Sequence, residues 1–452
     1  MRDTVTAPRR AYGVWSVQMD VLHISDVRET GASVKLRGWV HRKRVSGGIA
    51  FIVIRDRTGT IQVAVKKDGV DPESWRAAEA VTVESSVEVN GIVKADPRAP
   101  TGYEVQASSF SSTAISEPYP ITEYQSTELL LDKRHLWLRS QGMTAVMRAR
   151  SYVFRHAREF LDGQEFFEVT PPVITSAGGE TGADLFEVDY FGKKAYLTES
   201  SQLYAEAMIF SLERVYSFVP SFRAEKSRTT KHLAEYWHLE PEMAYFDNEM
   251  NMKLQEGLIS HIATKLASEH GDVLKVLNVD RASLERIKPP FKRLSYEDAI
   301  SILNGKGFKL KWGDDLGVEE ERAITADEDK PIFICNWPKE IKPFYMPINP
   351  DDPRTVVCSD MQAPHGHGEI IGGSERIWKY EELIARMREV EKAKGVKFNM
   401  DNYGWWIDLR RYGSVPHAGF GMGIERVIKW MLNLDHIRDA IPFPRMSNRL
   451  EP

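Results

Sequence analysis

The feature that most limits how this chain can fold is the stretch Ala418–Leu432, which reads AGFGMGIERVIKWML. Gly419, Gly421 and Gly423 recur with a period of two, so a strand here has one face without side chains. Such a face lets a flat ligand lie directly against the backbone, and the alternative is a closely packed strand. A dinucleotide-binding fingerprint is excluded, because Arg426 stands where its third glycine would be.

A second stretch, Ser221–Tyr245, has the pattern of two strands joined by a basic loop. Because side chains alternate along a strand, Arg223 and Glu225 share one face of the first strand. One face of the second strand carries four polar or aromatic side chains, Tyr236, His238, Glu240 and Glu242. An arginine held on a strand presents a rigid fork to a carboxylate or phosphate. The alternative is a solvated face with surface ion pairs.

Residues 31–110 show five short alternating runs of β-branched residues, separated by Gly, Asp and Pro. A helical segment lies between the third and fourth runs, with Asp71 as its N-cap before Pro72. Five strands with a helix after the third are typical of a small closed oligonucleotide-binding (OB) barrel. We therefore expect an extension at 1–20, the barrel at 21–112, a linker or hinge at 113–140 and a larger domain at 141–452.

The larger domain mixes strands and helices without a regular βαβ alternation. Apolar residues from Val146 to Leu161 follow a helical spacing, and a strand stopped by Pro171 and Pro172 comes next. Hairpin-like pairs recur beyond it, which favours an antiparallel sheet flanked by helices. The expected fold class is α+β.

Composition excludes several classes of protein. With 452 residues, 42% of them hydrophobic, the chain is long enough for two or three globular domains. It contains no run of eighteen apolar residues and begins without the apolar core of a secretory signal, so we expect neither a membrane span nor secretion. Its two cysteines, Cys335 and Cys358, favour a reducing cytoplasm. A net charge of −5 does not exclude nucleic-acid binding through a local basic patch.

The two stretches above, with FFEVTPPVI at 166–174, resemble the three motifs of the class II aminoacyl-tRNA synthetases. The first motif's proline matches Pro172, and the third motif's glycines and final arginine match Gly419–Arg426. The second motif fits at five positions, Arg223, Glu225, His232, Tyr236 and Glu240. Because the three motifs occur in order, the resemblance is specific. It implies that 141–452 is a class II catalytic domain.

The barrel segment GWVHRKRVSGGIAFIVIRDRTGTIQVAV, at 38–65, resembles the anticodon-binding barrel of the aspartyl, asparaginyl and lysyl subgroup. By the aspartyl pattern, Phe51 stacks on an anticodon base, while Gln62 and Arg44 contact base edges or phosphates. Without the resemblance, the alternative is that Phe51 belongs to the barrel core. The resemblance implies a tRNA partner.

The amino-acid pocket bears on the choice of substrate. Ser200 and Gln202 match subgroup residues that hold the amino acid. Aspartyl enzymes carry a lysine three positions after that glutamine, where this chain has Ala205. A carboxylate buried without a cation is unfavourable by several kcal/mol, whereas an amide needs no such partner. Arg376 matches the arginine that faces the side-chain oxygen, so similarity to the asparaginyl enzymes implies L-asparagine and tRNA(Asn) as substrates.

The resemblance also implies how ATP is held. Arg223 bridges the substrate carboxylate and the α-phosphate, and Glu225 reads the adenine amino group. Tyr236 stacks on adenine opposite Arg426, while His232 and Arg426 hold the terminal phosphates. Two glycines complete the implied nucleotide site, Gly421 and Gly423.

Magnesium and a mobile loop complete the implied site. Glu369 matches a Mg²⁺-binding carboxylate and Asp360 assists it, since Mg²⁺ prefers hard oxygen ligands. Glu180 matches a residue of the mobile loop that closes over the amino acid. Glu240 matches an acidic residue near the substrate ammonium. Archaeal-type aspartyl enzymes place a serine where Gly372 stands here, which leaves the coordination of a second ion open.

A homodimer is also implied, with the helix at 146–161 and the strand at Pro172 near the interface. Three alternatives stay open: an aspartyl enzyme of strict or relaxed specificity, an asparagine synthetase that reuses this core, and a non-catalytic RNA-binding paralogue. His365 and His367 suggest a metal site, but two histidines without a third partner seldom form one.

Overall fold

The computed structural model describes residues 21–99, 101–122, 124–176, 185–225, 231–395 and 397–452. The chain divides into two compact units between Ser126 and Thr127. The predicted α+β class, with an OB barrel followed by a helix-flanked sheet, is confirmed. The predicted extension at 1–20 lies outside the described residues.

The first unit contains five strands: β1 Ser33–Ser46, β2 Ile49–Arg55, β3 Thr60–Lys66, β4 Ser86–Ala95 and β5 Tyr103–Ala114. They close into a barrel in the order β1-β2-β3-β5-β4. Helix α1, Pro72–Ala80, lies between β3 and β4, and the Asp71 carboxylate accepts hydrogen bonds from the N–H groups of Glu73 and Ser74, both at 2.9 Å. Two short 3-10 helices accompany the barrel, Ile24–Asp26 and Lys67–Gly69.

Alternation along β2 decides which residues fill the barrel. Ala50, Ile52 and Ile54 are fully buried, so they point into the barrel. Phe51 and Val53, which alternate with them, are only partly buried. Phe51 therefore lies on the outer face and is not part of the barrel core.

The second unit contains eleven strands within the described residues. They are β6 Phe167–Val169, β7 Ile174–Thr175, β8 Glu187–Tyr190, β9 Lys193–Leu197, β10 Arg214–Phe222, β11 Glu235–Ala244, β12 Lys292–Ser295, β13 Ile332–Cys335, β14 Cys358–Ala363, β15 Gly368–Glu375 and β16 His417–Gly423. Eight form one sheet in the order β12-β13-β14-β15-β16-β11-β10-β6, and β7-β9-β8 form a small second sheet. The large sheet is antiparallel through its centre and parallel only where β6 and β12 pair at its edges.

Helices surround this sheet. They are α2 Thr127–Asp132, α3 Arg134–Trp137, α4 Gln141–Gly163, α5 Gln202–Leu212, α6 Asn248–Glu269, α7 Gly271–Val276, α8 Arg281–Glu285, α9 Tyr296–Gly305, α10 Val318–Thr325, α11 Tyr380–Lys394, α12 Met400–Asp408, α13 Ile424–Met431 and the 3-10 helix Ile437–Ala440. In the described part of the chain, no helix is both long and apolar enough to cross a membrane.

The main core lies between the large sheet and helices α4, α6 and α13. Val153, Leu258, Met422 and Ile428 are fully buried in it, one from each of these elements. Such burial stabilises the unit by roughly 1.5–3 kcal/mol per large side chain. Polar side chains lie on the opposite face of the sheet's central strands.

Candidate active site

The segments identified from sequence meet at the centre of the large sheet, where β15, β16, β11 and β10 are neighbours. They border a common cleft. Its lining includes seven residues singled out from the sequence, Arg223, His232, Tyr236, Glu369, Gly421, Gly423 and Arg426. Because these residues come from separate parts of the chain, the fold brings them together.

The glycines of β16 make room for polar side chains of β11. A Cβ atom added to Gly419 would lie 1.9 Å from Oε2 of Glu242, and one added to Gly421 would lie 2.5 Å from Nε2 of His238. Any larger residue would displace these groups. The face without side chains predicted from sequence is therefore partly covered by the neighbouring strand.

Arg223 lies just beyond the end of β10, where its N–H still donates to the carbonyl of Ala234 at 2.9 Å. Its Nε atom is shielded from solvent and has no hydrogen-bond partner among the described residues. A buried donor without a partner is unfavourable, so the atom is placed to bind an anionic ligand.

Arg426 enters the cleft from the first turn of α13. Its Nη1 donates to the carbonyl of Glu369 at 3.0 Å and lies 3.6 Å from Oε2 of the same residue. Burial, and then the charge of Arg426, lower the pKa of His232 from its ordinary value. His232 is therefore largely neutral at pH 7.

Glu240 organises the other end of the cleft. Its carboxylate accepts hydrogen bonds from the hydroxyls of Ser200 and Ser201, both at 2.5 Å, and from the N–H of Ser201 at 2.8 Å. Gln202 is 4% exposed and donates from Nε2 to Oε1 of Glu206 at 2.7 Å. Three donors therefore fix the Glu240 carboxylate.

Two arginines beside this end are each paired with a buried glutamate. Arg376 donates to both carboxylate oxygens of Glu242, at 2.9 and 3.0 Å. Burial would lower the pKa of Arg376, but the paired carboxylate raises it above its ordinary value, so the guanidinium stays charged. Arg410 pairs with Glu206, and both side chains are fully buried. Two cations are thus matched by two anions.

Ala205 lies on α5, next to Glu206, and is fully buried in a small apolar cluster with Ile209, Val215 and Ala244. Arg410, the guanidinium near this segment, is occupied by Glu206. His417 Nε2 also lies 3.1 Å from Oε2 of Glu206. Burial would raise the pKa of Glu206, but Arg410 and His417 hold it below its ordinary value.

Comparisons with known proteins agree with this geometry. Residues 126–447 match the family described as tRNA synthetases class II (D, K and N), and 34–112 match the OB-fold nucleic acid binding domain. A protein of Thermoplasma acidophilum named asparagine–tRNA ligase is 46% identical over 96% of this chain and 100% of its own length. The chain belongs to the asparagine–tRNA ligase family of class II synthetases.

Solved structures of this class have the same fold. The structure of asparaginyl-tRNA synthetase from Pyrococcus horikoshii, complexed with asparaginyl-adenylate, has a TM-score of 0.92 and 45% identity over 96% of this chain and 100% of that one. An aspartyl tRNA synthetase from Entamoeba histolytica has a TM-score of 0.81 and 25% identity, over 99% and 96%. Fold alone therefore does not distinguish the two amino-acid specificities.

Mg²⁺ is implied by the synthetase family, and the two candidate carboxylates suit it. Asp360 on β14 and Glu369 on β15 flank Gly372, whose added Cβ would lie 3.6 Å from Oδ1 of the first and 3.2 Å from Oε1 of the second. Such hard oxygen donors are those that Mg²⁺ prefers. Lys342 forms an ion pair with Oδ2 of Asp360. Burial raises the pKa of Asp360 to about 7, against the charge of Lys342.

The barrel of this synthetase places the three predicted anticodon residues on one outer face. Arg44 on β1 lies directly opposite Phe51 on β2, and Gln62 on β3 lies opposite Val53. Directly opposed residues of paired strands point to the same side of a sheet. Gln62 already donates from Nε2 to Glu104 at 2.6 Å.

Sequence reasoning missed several residues near the synthetase cleft. Lys342 lies in an irregular loop, and Arg410 lies just after α12, so neither is part of a periodic pattern. Alternation predicts Glu242 on the polar face of β11 beside Glu240, but it does not show that Glu242 pairs with Arg376. Glu225 lines an adjoining cavity that shares Arg223, and the predicted loop residue Glu180 lies outside the described residues.

Proposed function

We propose that this synthetase activates L-asparagine with ATP and transfers it to the 3′ end of tRNA(Asn), releasing pyrophosphate and AMP. The observation that carries the choice of asparagine is the pairing of Arg376 with Glu242 and of Arg410 with Glu206. Both of these guanidinium groups are matched by a carboxylate and position 205 is alanine, so among the described residues neither arginine is left unpaired for a side-chain carboxylate of the substrate. An uncharged amide suits such a pocket.

In the first step, the α-carboxylate of asparagine attacks the α-phosphorus of ATP and pyrophosphate leaves. The substrate supplies the nucleophile, so the protein's task is to position both substrates and neutralise charge. Arg223, whose Nε has no protein partner among the described residues, bridges the carboxylate and the α-phosphate. Glu240 faces the ammonium group, and Ser200 and Gln202 help to shape the amino-acid site.

The nucleotide lies along the rest of the cleft. Tyr236 stacks on the adenine, with Arg426 on its other side, and Glu225 binds the adenine amino group. His232 and Arg426 hold the terminal phosphates, and His232 gains a proton as they bind. Glu369 and Asp360 would hold Mg²⁺, which would neutralise phosphate charge when bound. Gly421 and Gly423 have no side chains, so the nucleotide can approach the backbone of β16 closely.

In the second step, the 3′-terminal hydroxyl of tRNA attacks the adenylate carbonyl and AMP leaves. The outer barrel face with Arg44, Phe51 and Gln62 supports anticodon binding, because single-stranded bases are commonly held on a partly exposed aromatic ring beside a cation. We also propose a cytoplasmic homodimer that uses the outward face of α4. That face borders an open groove and includes Met147, Phe154 and Arg158.

The test is pyrophosphate exchange into ATP, measured with asparagine and with aspartate. We expect exchange with asparagine and at least about a hundredfold lower kcat/KM with aspartate, a difference of about 2.7 kcal/mol. Arg223→Ala should abolish exchange while tRNA binding persists. Comparable kcat/KM for the two amino acids would refute the pocket assignment, and normal exchange in Arg223→Ala would refute the catalytic one.

Glu242→Gln tests the charge balance directly. Removing this carboxylate leaves Arg376 unpaired, so the ratio of asparagine to aspartate kcat/KM should fall at least about tenfold. Glu235→Gln, an acid at the outer end of the same strand, is the matched control and should keep the wild-type ratio. An unchanged ratio in Glu242→Gln would count against the neutral pocket.

A further inference from the structure

A group of histidines and glutamates lies between α4 and the junction of α6 with α7, and the proposed reaction does not use it. His156 on α4 is 2% exposed, and its Nε2 lies 3.0 Å from Nε2 of His270, the residue between α6 and α7. One ligand atom each from His156, Glu269 and His270 lie within 4.8 Å of one another.

The hydrogen bonds of His156 determine which of its nitrogens is available. Its Nδ1 lies 2.9 Å from Oε2 of Glu159. An ionised carboxylate only accepts hydrogen bonds, so Nδ1 carries the proton and Nε2 keeps a lone pair directed at His270. Histidine ligands of metals usually donate their second N–H to a carboxylate in this way. Glu159 therefore fixes the tautomer that a metal site requires.

The second histidine is held in place as well. The ring of Tyr152 stacks on the ring of His270, with centroids 3.5 Å apart and planes inclined by 5°. Two nitrogens bound to one zinc ion at about 2.0–2.1 Å, with a tetrahedral angle, lie about 3.3 Å apart. The observed separation of 3.0 Å is therefore close to the separation in a zinc site.

We propose that His156 Nε2, His270 Nε2 and the Glu269 carboxylate bind a first-row divalent transition-metal ion of the zinc type. Two histidines and one glutamate are a known zinc ligand set that leaves a fourth position for water. The Glu269 side chain is 45% exposed, so an ion can enter from solvent. Lys265 Nζ lies 2.5 Å from Oε1 of Glu269 and 3.6 Å from Oε1 of Glu159. The bound ion would partly replace this ammonium group.

Such an ion would join α4 to the end of α6, the two helices that pack behind the sheet. An alternative metal site would use His261 together with His156 and Glu159. Nε2 of His261 lies 3.9 Å from Oε2 of Glu159, the oxygen that contacts Nδ1 of His156. This His261 nitrogen has no hydrogen-bond partner among the described residues. His261 thus provides a matched control within the same cluster.

The experiment uses full-length protein stripped of metal with EDTA, titrated with Co²⁺ and then with Zn²⁺. We expect one saturable visible Co²⁺ band per chain, its displacement by Zn²⁺, and a higher unfolding temperature with Zn²⁺ present. His270→Gln and the surface variant Glu269→Gln should each weaken Co²⁺ binding at least about tenfold, whereas His261→Gln should bind like wild type.

Circular dichroism checks that each variant is folded. If His270→Gln does not fold, Glu269→Gln still tests the proposal. The absence of a saturable Co²⁺ band in the wild type would overturn the proposal. So would wild-type affinity in Glu269→Gln, or loss of binding in His261→Gln with retention in His270→Gln. None of these measurements depends on aminoacylation.

Discussion

Gly419 shows how one residue without a side chain makes a charged pocket possible. The Glu242 carboxylate occupies the place where a Cβ atom at position 419 would lie, and from there it binds Arg376 through two hydrogen bonds. The backbone of Gly419 is extended, so the requirement is for space rather than for a positive φ. Gly305, the last residue of α9, has no described atom within 4 Å of its added Cβ.

We therefore expect Gly419→Ala to disrupt the pairing of Glu242 with Arg376. The kcat/KM for asparagine in pyrophosphate exchange should fall at least about tenfold, because the pocket loses its charge balance. Gly305→Ala, outside the cleft, is the control and should remain within about threefold of wild type. Similar exchange rates in the two variants would contradict this account of the pocket.

Among the elements, α4 and α13 are joined by a buried ion pair. Arg150 Nη1 lies 2.6 Å from Oε1 of Glu425, and the other carboxylate oxygen accepts a hydrogen bond from the N–H of Trp237 at 3.0 Å. Burial raises the pKa of Glu425 despite the charge of Arg150. Glu425 precedes Arg426, so this pair helps to hold the helix that carries the cleft's arginine.

Arg150→Met should leave the Glu425 carboxylate buried without its cation. We expect the free energy of unfolding to fall by about 3–5 kcal/mol in urea titrations. Arg150→Met combined with Glu425→Gln should recover part of this loss, because the uncompensated charge is then absent. If the double variant is as unstable as the sum of the two single variants, the two residues are not coupled.

The 3-10 helix Ile437–Ala440 begins at a histidine that must stay neutral. Nδ1 of His436 accepts a hydrogen bond from the N–H of Arg438 at 3.1 Å. Burial, and then the charge of Arg438, lower the pKa of His436 to about 4. The unfolded chain takes up this proton near pH 6.5, and the folded chain does so only near pH 4.

The contribution of His436 to stability is therefore full above pH 6.5 and falls as the pH drops from 6.5 to 4. The wild type should lose up to about 1.4 kcal/mol per pH unit from this group in that window. In His436→Asn, which keeps an acceptor but does not titrate, the dependence of the unfolding free energy on pH should be flatter by that amount. Parallel pH profiles for the two proteins would show that His436 does not contribute.

For the whole molecule, short-range periodicity predicted much of the architecture. Alternation predicted the five barrel strands, and the same rule gives the outer position of Phe51 once the strands are aligned. The resemblance to the class II motifs predicted that Arg223 and Arg426 share one cleft. Lys342 and Arg410 could not be found this way. Their positions depend on how loops fold back on the sheet, and no local spacing records that.

The division into two compact units leads to a prediction about function. Phe51→Ala should lower kcat/KM for tRNA aminoacylation at least about tenfold, because stacking contributes roughly 1–3 kcal/mol per base. Pyrophosphate exchange without tRNA should not change, since the barrel is a separate unit. Val53→Ala, on the same face of β2, is the control and should aminoacylate normally. Equal losses in both variants would contradict a specific stacking role.

The pairing of β14 with β15 contains an irregularity on which the two carboxylates depend. Asp360 lies directly opposite Gly372, whereas Glu369 lies opposite Gln362 because the register shifts between Met361 and Gln362. In a regular ladder, Ile370 would lie opposite Gln362, and Glu369 would point to the other side of the sheet. The bulge in β15, rather than the length of the loop at 364–367, therefore keeps both carboxylates beside Gly372.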